Sequence, residues 1–179
     1  MRLDKFHSLK ELYNEYYSTF YSKGKGTVFD TAKGIWGPSG TQDVYELFVK
    51  IKLSKCKNFL DLGSGDGKVV LIASLFGVDS VGIEYDNGLV KKSIEFMKKL
   101  KLKAKFICGD YFKEDFSKYD IIFINPDQGF EKGLEDKLVK EMNPKCRLYV
   151  YNEIFQPRFL KKGKKYWFNG IPVVVYRKS

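Results

Sequence analysis

The chain has 179 residues, of which 44% are hydrophobic and 16% aromatic, so it can bury one full-sized core and is not a disordered chain. Its formal net charge of +10 favours an anionic partner such as RNA or an acidic membrane surface, although lysine excess also serves solubility or heat adaptation. No apolar run approaches the roughly 20 residues of a membrane-spanning helix, and the N-terminus lacks the apolar stretch of a secretion signal, so we expect a cytoplasmic protein.

Residues 1–57 are predicted to form a helical segment and a lid within the same domain as the rest of the chain. A helix is expected over 5–22, where apolar and aromatic side chains recur at helical spacing, namely Leu9, Leu12, Tyr13, Tyr16, Tyr17 and Phe20. This aromatic face either packs on the core or offers a substrate surface. Residues 23–40 are rich in turn formers and contain Trp36, which suggests a lid over a bound molecule or a packed connector.

A second helix is expected to follow this segment. Ser39 or Thr41 is a candidate cap for its first turn. One face of the helix carries the apolar residues Val44, Leu47, Phe48 and Ile51.

The stretch 58–70 predicts a buried strand, a tight glycine turn and the start of a helix. Its three glycines alternate and end at Gly67, and they allow a ligand to lie against bare backbone. A dinucleotide fold requires Gly-x-Gly-x-x-Gly, whereas here the third glycine comes one residue early. Asp61 and Asp66 flank the turn, and carboxylates there repel a phosphate but suit a cationic ligand.

From residue 58 onward, strand patterns alternate with helix patterns, which predicts a parallel sheet with crossover helices. Strands are expected at 58–62, 79–84, 104–108, 119–125 and 146–151, and helices at 66–77, 86–101 and 129–142. Near the end of the chain, Asn169-Gly170 separates two apolar runs and predicts an antiparallel hairpin.

The motif from Asp61 to Gly67, Asp-x-Gly-x-Gly-x-Gly, resembles the signature of class I S-adenosylmethionine (SAM) methyltransferases. A second strand that ends in Glu84 and the C-terminal hairpin extend the resemblance to roughly residues 36–177. It implies a Rossmann-like α/β fold with a mostly parallel seven-stranded sheet and a C-terminal antiparallel hairpin. The SAM-binding core would be residues 58–179.

The same resemblance implies SAM as cofactor and assigns the residues that hold it. The glycine turn would hold the methionine part, Glu84 would accept hydrogen bonds from both ribose hydroxyls, and the ends of the second and third strands would meet the adenine. The implied cofactor-binding residues are Asp61, Gly63, Ser64, Gly65, Glu84, Tyr85, Asp110 and Tyr111. Beside Gly109, Asp110 is alternatively an ordinary turn residue.

After the fourth strand comes Asn125-Pro126-Asp127, the position from which the family addresses its acceptor. Relatives that methylate base amines carry Asn-Pro-Pro-Tyr here, whereas this chain has Asp127 and Gln128 in the last two places. An acid suits an alkyl ammonium better than a base, so Asp127, or Glu153 after the fifth strand, is expected to orient a lysine. We assign Asn125, Pro126 and Asp127 as candidate catalytic residues.

A narrower resemblance is to small single-domain protein-lysine methyltransferases of archaea and to relatives that modify a membrane subunit of ATP synthase. It rests on the glycine turn, on Pro38-Ser39 before the second helix, and on Pro126 and Pro157 after the fourth and fifth strands. The resemblance implies a macromolecular acceptor, best a protein lysine. The alternatives are a tRNA or rRNA base amine and a SAM-binding module without catalysis.

The cysteines, the histidine and the lysines bear on metal binding and on a nucleic-acid partner. The three cysteines are far apart in sequence, so no metal site is expected, and His7 is the only histidine. Lysines concentrate at 98–105 and 161–165, on solvated surfaces or, if they flank Asn125, on an RNA-binding face. The sequence does not indicate an oligomeric state.

Overall fold

The computed structural model describes residues 2–22, 26, 29–31, 34–130 and 132–178, with only the backbone described between 29 and 36. In this part of the chain, a seven-stranded sheet has the order β5-β4-β3-β6-β7-β9-β8. Its strands are β3 Asn58–Leu62, β4 Asp79–Glu84, β5 Lys105–Cys108, β6 Ile121–Ile124, β7 Arg147–Tyr151, β8 Lys161–Phe168 and β9 Ile171–Arg177. The first five run parallel, and β9 pairs antiparallel with both β7 and β8. The predicted fold class is confirmed.

Helices cover both faces of this sheet, as parallel strands require because both of their faces are apolar. The helices are α1 Arg2–Tyr21, α2 Thr41–Lys50, α3 Lys68–Ser74, α4 Asn87–Lys99 and α5 Leu134–Glu141. One apolar cluster joins α1, α2 and α3 to one face of the sheet, and a second joins α5 to the other face. No helix among the described residues has the length and apolar character that a membrane crossing needs.

The N-terminal segment packs on the core. Leu9, Leu12 and Tyr13 of α1 are buried, which confirms the packing interpretation of its aromatic face. Strands β1 Phe29–Thr31 and β2 Gly34–Trp36 pair antiparallel. The predicted lid falls partly on residues outside those described, as does the side chain of Trp36, so the lid stays a prediction.

The expected cap of α2 is wrong. Gly40 holds the N-cap position with extended backbone and has no side chain that could cap the first turn. Thr41 is already the first helical residue. The third helix also begins later than predicted, at Lys68, because Gly67 has a left-handed backbone with φ of 78°. Asn169 and Gly170 have φ of 46° and 80°, the positive values that a two-residue hairpin turn requires.

Candidate active site

The carboxyl ends of β3, β4, β5 and β6 meet at one edge of the sheet and surround a cavity of about 600 Å³. From β3 the chain continues to β4 and β5 on one side, and it then returns to β6 and β7 on the other side of β3. Strand order therefore reverses beside β3, and ligands of open α/β sheets bind beyond the strand ends at the point of such a reversal. The volume lies within the range of roughly 300–1,000 Å³ that is typical of small-molecule sites.

The glycine turn after β3 forms one wall of this cavity. Gly63 has φ of 70°, and a Cβ added there would meet no atom within 4 Å, so its backbone is open to a ligand. Gly67 serves packing, since an added Cβ would lie 2.6 Å from Ser93 and 2.7 Å from the ring of Phe106. The turn thus needs glycine for access at one position and for close helix contact at the other.

Glu84, at the end of β4, is held in a fixed orientation by backbone. The Gly65 N–H donates to Oε2 at 2.9 Å, and the Asp86 N–H donates to Oε1 at 2.8 Å. Each carboxylate oxygen has a second lone pair, so Glu84 can still accept from two vicinal hydroxyls in the cavity. Gly65 supports Glu84 from behind and is not among the residues that line the cavity.

Asp61, at the end of β3, is a buried carboxylate on the cavity wall. Its side chain is 3% exposed and has no hydrogen-bond partner among the described residues. Burial raises the pKa of Asp61 well above its usual value, and the carboxylates of Glu84 and Asp66 raise it further. A cationic ligand would offset the unfavourable burial of a negative charge on Asp61.

Ser64 also lines the cavity, but its hydroxyl lies against β4. A Cβ added at Gly82 would meet Ser64 Oγ at 2.6 Å, and this buried Oγ has no partner in the described part of the chain. Its predicted contact with a cofactor stays a prediction.

The third strand end supplies a more open wall. The Asp110 side chain accepts from the Phe112 N–H at 2.9 Å, as a turn residue does, yet it also lines the cavity together with Tyr85 and Tyr111. Tyr85 is 48% exposed and Phe112 39%, so this wall presents aromatic surface. Burial, followed by the carboxylates of Asp127 and Asp110, raises the pKa of Tyr111. Tyr111 therefore lies between the third and fourth strand ends.

At the end of β6, Asn125 holds two neighbouring segments. Its Nδ2 donates to the Gly37 carbonyl at 3.2 Å, and its Oδ1 accepts from Asn152 Nδ2 at 2.7 Å. Pro126 is buried, and both it and Asn125 line the cavity. With these contacts, Asn125 positions the loops after β2 and β7 at the cavity edge.

The two candidate acids for the acceptor have different surroundings. Asp127 is exposed and lines the cavity. Glu153 pairs with Lys165 at 2.6 Å and with Lys162 at 3.3 Å. The hydrogen bond from Lys165 lowers the pKa of Glu153, which lines only a shallower neighbouring cavity. Asp127 is thus the better placed of the two.

Two buried charged residues at or near the site escaped the sequence analysis. Lys68 lines the cavity and is 3% exposed. Glu135 of α5 accepts three backbone N–H groups, from residues 158–160 at 2.5–3.1 Å, and so ties down the loop that carries Ile154 and Phe155 to the cavity. Position beside the glycine turn is the only sequence signal for Lys68, and we see none for Glu135.

Comparison with known proteins identifies the family to which the chain belongs. A family model described as "ANTKMT methyltransferase domain" matches residues 61–152, just over half of the chain. The chain belongs to this family. The matched range begins at Asp61 and ends at Asn152, so this methyltransferase domain contains all four strand ends that surround the cavity.

Curated relatives have related names. A human lysine N-methyltransferase named for an ATP synthase subunit is 32% identical over 102 residues, which cover 55% of this chain and 44% of that protein. A protein-lysine N-methyltransferase of Saccharolobus islandicus is 25% identical over 115 residues, covering 62% and 71%. A protein-L-isoaspartate O-methyltransferase of Cytophaga hutchinsonii is 37% identical over 60 residues, covering 34% and 27%. The aligned part of this chain thus spans less than half the length of the human relative.

Solved structures share the fold. An RNA methyltransferase from Salinibacter ruber in complex with S-adenosyl-L-homocysteine superposes with a TM-score of 0.70 at 23% identity, covering 79% of this chain and 93% of that one. The mitomycin 7-O-methyltransferase MmcR superposes with a TM-score of 0.67 at 13% identity, covering 78% and 54%. At these identities the likeness concerns the architecture alone.

Proposed function

We propose that this protein transfers a methyl group from SAM to the side-chain nitrogen of a protein lysine. One observation carries the proposal, which is that the cavity is acidic although the protein is basic. The charged residues that line it, in the part of the chain that the structure describes, are Asp61, Asp66, Glu84, Asp110, Asp127 and Lys68. Five carboxylates and one lysine favour cationic ligands, and both a sulfonium and a lysine ammonium are cations.

The residues at the strand ends fit SAM. Glu84 would accept from the ribose hydroxyls because backbone N–H groups already orient its carboxylate. Gly63 would leave room for the methionine part, and Tyr85 would pack on the adenine. When bound, SAM supplies the activated methyl group together with its own thioether leaving group. The chain's task is therefore to hold the acceptor nitrogen in line with that methyl group.

A lysine acceptor must lose a proton before it attacks, since its ordinary pKa is about 10.4. Asp127, exposed at the cavity, would attract the ammonium and orient it. As the amine enters the cavity, burial would favour the neutral form. The ammonium would release this proton to water, and the amine lone pair would then form the N–C bond as the C–S bond breaks. The product would be a methylammonium, which can release a further proton to water.

The structure gives little support to a base amine as acceptor. Gln128 stands where an aromatic ring would stack on a base. No lysine of residues 98–105 or 161–165 is among the residues that line the cavity. Lys105 begins β5 and Lys161 pairs with Arg177 beyond the start of β7, so these two lie toward the opposite edge of the sheet, whereas Lys162 and Lys165 are paired with Glu153.

The test is transfer of labelled methyl from SAM into a host-cell extract that is then split into protein and RNA. Wild type is compared with Asp127→Asn and with a matched control, Asp79→Asn, an exposed acid at the amino end of β4. We expect base-stable label on a discrete protein band, weaker in Asp127→Asn and unchanged in the control, with methyl-lysine found by mass spectrometry.

Other outcomes contradict the proposal in distinct ways. Label in the RNA fraction would show a nucleic-acid acceptor, and base-labile label on protein would show a carboxyl methyl ester. No label in either fraction, with SAM still bound by calorimetry, would favour a binding module without catalysis.

A further inference from the structure

A shallow groove, which we call the side groove, adjoins the cavity where β7 ends and β9 begins. It has a volume of about 520 Å³, and Ile171 and Pro172 at the start of β9 form part of its wall. The cavity and the side groove share four lining residues, namely Gly37, Pro38, Asn125 and Ile154. The two are therefore continuous, and a molecule bound in the cavity can extend into the side groove.

The side groove differs from the cavity in its charge. Among the described residues that line it, Glu153 is the single charged one, and Lys165 and Lys162 pair with it at 2.6 and 3.3 Å. A phosphate backbone would find no lysine or arginine among these lining residues. A neutral, apolar segment of a protein chain fits this surface better than a nucleic acid does.

Ile154 stands at the boundary of the cavity and the side groove, on a loop that is held at both ends. Its side chain is 77% exposed. Its N–H donates to Asn152 Oδ1 at 2.9 Å, and Asn152 Nδ2 donates to Asn125 Oδ1 at 2.7 Å. Glu135 accepts the backbone N–H groups of residues 158–160 at the other end of the loop. A loop fixed in this way loses little conformational freedom on binding, so Ile154 offers apolar surface at low entropic cost.

Apolar surface continues from the side groove to the edge strand β8. Trp167 pairs with Pro172 across β8 and β9 and is 58% exposed. Directly paired residues of antiparallel strands project from the same face of a sheet, so Trp167 lies beside Pro172. Exposed apolar surface that adjoins a binding cavity is typical of an interaction site.

We propose that the side groove binds the part of an acceptor protein next to the methylated lysine, and that Ile154 selects an apolar side chain there. The inference rests on the proposed function and adds to it the kind of protein segment that the enzyme accepts. A lysine that reaches into the cavity would leave its backbone at the boundary with the side groove. Because an extended chain advances about 3.3 Å per residue, the residues next to that lysine would lie along the side groove.

The test measures methyl transfer from labelled SAM to short peptides with a central lysine, in which each neighbouring position is in turn leucine, glycine or aspartate. The proteins are wild type, Ile154→Ser and the matched control Phe159→Ser. Phe159 belongs to the same loop and is 71% exposed, but it lines neither the cavity nor the side groove. Both side chains are exposed, so both variants should fold.

A docking role for Ile154 predicts a preference that depends on this side chain. We expect wild type and Phe159→Ser to favour leucine over glycine at one or more neighbouring positions by roughly ten-fold in kcat/KM, as burial of a leucine side chain provides. Ile154→Ser should keep less than about three-fold of this preference.

Several outcomes would overturn the inference while the proposed function stands. They are a wild type without preference for leucine, a preference that Ile154→Ser retains in full, and label in extract proteins but in no peptide. A wild-type dimer that Ile154→Ser dissociates, measured by light scattering, would show that a second copy of the chain covers the side groove. Absence of label from both extract proteins and peptides would refute the proposed function itself, and this inference with it.

Discussion

Glu84→Gln tests the centre of the proposed cofactor site. The two carboxylate oxygens accept backbone N–H groups from Gly65 and Asp86 and face the cavity. Glutamine keeps one oxygen and places an NH₂ group against the other N–H. One hydrogen bond from a ribose hydroxyl to a charged acceptor is therefore lost, at about 1.5–3 kcal/mol. We expect SAM to bind roughly ten- to a hundred-fold more weakly.

Calorimetry with SAM measures this effect, and Glu95→Gln on the exposed face of α4 is the matched control. A 2′-deoxyribose analogue of SAM tests the contact directly. Wild type should bind the analogue more weakly than SAM, and this difference in affinity should be smaller in Glu84→Gln. The thermal unfolding temperature of Glu84→Gln should be only slightly lower than that of wild type, since water can reach the half-buried side chain at position 84. An unchanged SAM affinity in Glu84→Gln would refute the ribose assignment.

Three further substitutions test separate parts of the argument. Asp127→Asn should lower turnover on the protein substrate while SAM affinity stays within about two-fold, and full turnover would remove Asp127 from the mechanism. Glu135→Gln should destabilise the protein by about 1–3 kcal/mol in urea unfolding, because three backbone N–H groups share its carboxylate; equal stability would contradict that anchoring role. Lys68→Met tests linkage: the folded pKa of Lys68 is lowered to about 8 from 10.5, so the unfolded chain binds more protons between these pH values. The stability of Lys68→Met relative to wild type should thus be highest below pH 8 and fall toward pH 10, and a difference that does not change with pH would contradict the burial of a charged Lys68.

Sequence patterns predicted the sheet because its strands carry strong local signals. Apolar runs that end in glycine or an acid marked β3 and β4, and Asn169-Gly170 marked the final hairpin. The residues at which the helices begin were less predictable. The helix α5 begins at Leu134, where the left-handed Gly133 ends the preceding turn, and periodicity alone had placed that start at residue 129.

The candidate site was predictable where it depends on strand ends. Parallel strands bring their carboxyl ends to one edge, so Asp61, Glu84 and Asn125 had to lie near one another once the strands were recognised. Lys68 and Glu135 were not predictable in this way. Their burial depends on α1 and on the loop 152–160, which are distant in sequence and reach these residues only through tertiary packing.

The contrast between net charge and local charge bears on which acceptor we propose. A formal charge of +10 suggests an anionic partner, yet charge acts on a reacting group mainly over the roughly 8–10 Å within which salt does not screen it. Among the described residues that line the cavity, carboxylates outnumber the single lysine, and no lysine of residues 98–105 or 161–165 is among them. A phosphate backbone brought to Asp127 would approach acids, whereas a lysine ammonium would approach its natural counter-charge. The local field therefore favours a protein lysine even in a protein whose total charge favours RNA.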